Sequence, residues 1–105
     1  MEYAELDPIN IVMKSADGKL EVVFKKTGHC DVWEKPPEGY RYASALEVLS
    51  VGFPDDRIGT LAFENEKWKF FRYGQLVDFN NSVETLTSSI SIFQGCFFFI
   101  ALIKL

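Results

Sequence analysis

Residues 58–79 read IGTLAFENEKWKFFRYGQLVDF, and the way this stretch folds decides the rest. With Asn65-Glu66 as a turn, Phe63 falls opposite Trp68 and Leu61 opposite Phe70. Large cross-strand pairs of this kind each stabilise a ladder by about 0.2–1 kcal/mol relative to an alanine pair. Gly74-Gln75, with glycine first, suits a type II′ turn that returns the chain along Leu76–Phe79. The stretch therefore reads as an antiparallel meander. Strand alternation puts Lys67, Lys69, Phe71 and Tyr73 on one side and Trp68, Phe70 and Arg72 on the other. Interleaved basic and aromatic residues also occur on sheets that bind single-stranded nucleic acid. A core face and a mixed outer face explain the same pattern without a ligand.

Upstream, Asp17-Gly18 is a strong hairpin signal between Ile9–Ala16 and Lys19–Lys26, because a type I′ turn needs positive φ at both central residues. A two-residue turn there sets Met13 against Val22 and Ile11 against Phe24 on a buried face. The other face pairs Lys14 with Glu21 and Val12 with Val23. Cys30–Trp33 reads as a short third strand before the Glu34–Gly39 loop, which holds Pro36 and Pro37. Residues 40–53 fit two descriptions. Ser44 and Glu47 form a capping box for a short helix ending at Gly52. Ala45, Leu49, Val51 and Phe53 also fit a strand face, with Pro54–Arg57 as a hairpin loop, and the strand is preferred.

Downstream, Asn81 and Glu84 open a capping box, and Val83, Leu86, Ile90 and Phe93 fall on one helical face. A helix over 81–94, stopped by Gly95, is expected. Cys96–Ile103 is apolar throughout, so it is expected as a central strand covered on both faces. Left exposed, it would drive self-association. The fold class that follows is α+β: one domain over 1–105, a mostly antiparallel sheet of hairpins and meander, the 81–94 helix packed on it, and a buried C-terminal strand.

The chain has 105 residues, enough for one core and too few for two. Its net charge of −4 argues against nucleic acid and against an anionic membrane as partners, and favours a basic protein. The acidic opening Met1–Glu5 has no apolar stretch of the secretory kind, and the 96–103 run is shorter than a membrane helix, so a cytoplasmic protein is expected. Cys30 and Cys96 are expected as reduced thiols in that compartment.

No reaction centre is legible. His29, Cys30 and Asp31 combine a base, a thiol and a carboxylate, but neighbours on a strand point to opposite faces. No CxxC or HxxxH spacing supports a metal. Asp55-Asp56 and Glu64/Glu66 are paired carboxylates, yet they fall at turns, where acids serve the local backbone. No catalytic residue, metal or cofactor is expected.

In Gly59–Leu76, followed by Ser82-Val83-Glu84-Thr85-Leu86, the chain resembles bacterial immunity proteins, the small cytosolic antitoxins of contact-dependent growth inhibition and related polymorphic toxin systems. The resemblance covers about half of the chain and lies in size, acidity, aromatic strands and a late helix. It implies a non-enzymatic monomer that binds its cognate toxin's C-terminal domain and blocks an active site or substrate surface. Many such toxins are nucleases with basic clefts, which carboxylates can occupy in place of phosphates. The candidate contacts are the loop acids Asp31, Glu34, Glu38, Asp55, Asp56, Glu64 and Glu66, with Trp33, Tyr40 and Tyr42 as aromatic anchors beside the double-proline loop. The rival expectation from another class is a small-ligand domain, or a small enzyme, with a pocket between sheet and helix.

Overall fold

Asn10–Lys14 (β1) and Glu21–Lys26 (β2) pair antiparallel in the expected register, with Ile11 facing Phe24 and Met13 facing Val22. The computed structural model describes residues 10–26, 35–55, 57–81 and 98–105, with backbone alone for 77–81. The β1–β2 turn differs from the expected two-residue type. Gly18 is at positive φ (+74°) but Asp17 is not. A longer loop, Ala16–Lys19, is closed by Ser15 N donating to Leu20 O (2.8 Å) and Gly18 N donating to Ser15 O (2.9 Å). Side-chain oxygens win over the tighter turn: Ser15 Oγ accepts from Leu20 N at 3.0 Å and Asp17 Oδ1 from Lys19 N at 2.9 Å.

Residues 40–53 correct the expected strand. Tyr40–Tyr42 (β3) is a short strand, and Ala45–Val51 (α1) is a helix. The capping box prevails over the alternating pattern. Ser44 Oγ accepts from Glu47 N at 3.2 Å, while the Glu47 carboxylate accepts from Ser44 N at 2.8 Å. Gly52, at φ +94°, ends the helix, and its N–H bonds Val48 O at 2.9 Å. Ala45, Val48 and Val51 are buried on one side of α1, and Leu49, expected on the core face, is exposed. The 54–57 segment accordingly joins α1 to the next strand and is not a hairpin loop.

Gly59–Glu64 (β4), Lys67–Arg72 (β5) and Gln75–Asn81 (β6) form the expected meander, with Phe63 opposite Trp68 and Leu61 opposite Phe70. Asn65 and Glu66, at φ +54° and +63°, make the first turn. The second turn is Tyr73-Gly74, at φ +56° and +70°, one residue earlier than expected. Two positive φ values define type I′, whose twist suits a hairpin. Alternation also breaks in β5: Phe70 and Phe71 are both buried, where the β5–β6 register shifts.

Phe98–Lys104 (β7) is the expected buried central strand. Among the described residues seven strands form one sheet in the order β1-β2-β7-β4-β5-β6, with β3 also paired to β7. Every ladder is antiparallel except β4–β7. β4 lies along Phe98–Ile100 and β3 along Leu102–Lys104, so the sheet forks on one side of β7. Ala43, fully buried, holds the fork: its N–H bonds Ala101 O (2.9 Å) and its carbonyl accepts from Phe63 N (3.0 Å).

The core has two layers, one on each face of β7. On one face, Val22, Phe24, Phe71, Phe99 and Ala101 pack against Ala45, Val48 and Val51 of α1. On the other, Leu61, Trp68, Phe70, Phe98, Ile100 and Leu102 pack with the half-buried rings of Tyr40, Tyr42 and Phe63. Each fully buried side chain of this kind stabilises by about 1.5–3 kcal/mol. The fold is therefore α+β with a mainly antiparallel sheet. Apart from Asn81, which ends β6, the helix expected over 81–94 lies outside the described residues. The Cys30–Trp33 strand, His29 and both cysteines also lie outside them. No helix among the described residues is long and apolar enough to cross a membrane.

Candidate interaction surface

The sheet has two ends, and ladder partners fix which residues share each. Lys26, Phe99, Thr60, Phe71 and Leu76 form one row across it. Asn10, Asp55, Arg57 and the Tyr73-Gly74 turn stand at that end. The Glu38-Gly39 turn, Tyr40 and the Asn65-Glu66 turn stand at the other, where β3 ends beside β4 through the Ala43–Phe63 bond.

The candidate acids divide by what already holds them. Asp55 Oδ1 accepts from Arg57 N (2.9 Å) and Nε (3.2 Å), and Oδ2 accepts from Nη2 (3.3 Å). Arg57 holds the Asp55 carboxyl below the usual aspartate range. Glu64 accepts from the first helical N–H, Ala45 N, at 3.0 Å, and lies 3.8 Å from Lys69 Nζ. It serves the α1 N-terminus, where a carboxylate is favoured. Glu38 and Glu66 are exposed, and no hydrogen bond or ion pair holds them among the described residues. Asp31, Glu34, Asp56 and Trp33 lie outside the described residues.

The tyrosines of β3 are part of the fold. The Tyr42 ring meets Trp68 edge-on at 4.7 Å and lies 5.5 Å from Phe63. Burial pushes its hydroxyl pKa up to about 12. Tyr40 packs on the same cluster. Neither is a free-standing anchor. Strand alternation placed Tyr73 on one side of a strand with Lys67, Lys69 and Phe71 and missed its position at a turn tip, although Gly74 beside it was the available signal. Tyr73 is 63% exposed, and the Arg72 guanidinium lies over its ring at 5.4 Å.

Beside the acids, a second charged group is structural. Arg41 grips Glu47 through two nitrogens, at 3.0 and 2.8 Å. That bond, with the backbone N–H of Ser44, holds the Glu47 carboxyl below its ordinary value. A lowered folded-state pKa contributes stability above the usual glutamate range, and that stability is lost as pH falls through the lowered value. Urea unfolding across an acid pH series should therefore show a shallower loss for Glu47→Gln than for the wild type. Ser44→Ala should lower stability by about 1 kcal/mol at neutral pH by removing the cap.

Comparison with family models, curated proteins and solved structures finds no match.

Proposed function

We propose that this chain is an immunity-type antitoxin, a non-enzymatic protein that binds a basic, nuclease-type toxin domain and blocks its active site or substrate surface. The observation that carries this reading is the acidic balance of the chain, with 15 Asp and Glu against 11 Lys and Arg and a net charge of −4. A local negative potential speeds encounter with a basic surface and sets its orientation. The likeness of the aromatic meander to immunity proteins supports the same reading. The small-ligand alternative places its pocket between the sheet and the helix expected over 81–94, which lies outside the described residues.

The reading expects a large exoprotein gene ending in a variable domain immediately upstream, and its test is co-purification with that domain. A stable complex is expected, with association slowing as salt rises. Absence of a complex at both low and high salt overturns the proposal.

A further inference from the structure

We infer that the edge of β1 pairs antiparallel with β1 of a second copy of this chain, joining two sheets into one. The inference stands apart from the toxin-binding reading and departs from the monomer that the resemblance implies. Among the described residues β1 has a single ladder, with β2, and so stands at an edge of the sheet. Opposite residues on antiparallel strands exchange N–H···O bonds at alternate positions. Ser15 N donates to Leu20 O, so the hydrogen-bonded pairs that follow are Met13 with Val22 and Ile11 with Phe24. Asn10, Val12 and Lys14 therefore turn their backbone N–H and C=O groups away from β2. Edges are commonly blunted by a bulge, a proline or charge. β1 has no bulge and no proline, and its one charge is Lys14 at the end.

The outward-turned residues are symmetric about Val12, which is why the occupant is a second copy. A twofold axis there sets Val12 opposite Val12 and Asn10 opposite Lys14, and every outward N–H and C=O of the strand gains a partner. An axis two residues further along would set Lys14 opposite Lys14, a repulsive pair. Side chains agree with the first register. Val12 is 51% exposed and lies beside the half-buried Val23, and the second copy's Val12 would extend that apolar row. On the other face Ile11 and Met13 pack against the core, and each would meet the other's counterpart across the edge. Lys14 already lies 3.8 Å from Glu21, and a facing Asn10 adds no like charge. Such a self-complementary contact closes at two copies, and five residues a side make it a weak one.

The test is sedimentation of the full chain over a concentration series reaching about 1 mM. A monomer–dimer equilibrium is expected, with Kd on the order of 10–100 μM. Val12→Lys sets like charges face to face at the axis and should weaken it by about tenfold or more. Val12→Pro removes an N–H that the β2 ladder does not use, so the dimer should be lost while the dilute protein still melts cooperatively. Asn10→Asp faces Lys14 of the second copy twice per dimer and should tighten it by about threefold. A wild type that stays monomeric throughout overturns the inference. So does a dimer that both Val12 variants leave intact. Toxin binding is measured separately, so either reading can fail without the other.

Discussion

Trp68→Ala should destabilise the protein by about 3–5 kcal/mol, a large part of the total stability of a domain this size. Trp68 is 1% exposed and fills the layer opposite α1. Its ring lies 4.7 Å from Tyr42 and 4.9 Å from Phe63, so truncation strips contacts from both. The cavity would open beside β7 and be lined by Leu61, Phe70, Ile100 and Leu102, none of which is at a free edge of the sheet. Trp68→Phe should cost no more than about 1.5 kcal/mol. It keeps an aromatic body and removes an indole N–H that is buried without an acceptor among the described residues. Denaturant unfolding of the two variants separates lost volume from lost polarity; equal losses would mean that packing around Tyr42 is not what holds the ring.

Gly59→Ala should destabilise by about 2–3 kcal/mol or more, although it adds a single methyl group. A Cβ at residue 59 would lie 2.1 Å from two ring atoms of Phe70. The ring has nowhere to retreat. Phe70 is 3% exposed and sits opposite Leu61 on the paired strand. Gly59 also pairs with Phe98 on β7, so the backbone cannot yield without disturbing the parallel ladder. Phe70→Leu in the Gly59→Ala background should recover part of the loss, because the two residues share one space. Additive losses would place the strain elsewhere.

The meander and the first hairpin were legible because side-chain size at period two fixes a register that turn details cannot alter. Ile11 still meets Phe24 although the β1–β2 loop is longer than a two-residue turn. The apolar 96–103 run announced a strand covered on both faces. The turns were less legible, since Ser15, Asp17 and Tyr73 act through local oxygens or strain that composition does not weigh. The 40–53 segment went to helix because a satisfied capping box at Ser44 and Glu47 outweighs an alternation of four apolar residues. The candidate acids were chosen for lying at turns, and that criterion could not separate Asp55 and Glu64, already engaged by Arg57 and by the α1 N-terminus, from Glu38 and Glu66. Exposure of Tyr73 depends on a turn displaced by one residue, which the glycine alone did not specify.

The forked arrangement around β7 bears on how the molecule is made. Residues 10–42 and 59–81 share no ladder until Phe98–Lys104 emerges, since this last strand in chain order joins β2, β3 and β4. Before β7 pairs, the β1–β2 hairpin and the β4–β6 meander are linked among the described residues only through Ala43 and α1. Cooperative assembly waits for Phe98–Lys104, and distant pairings of this kind form slowly.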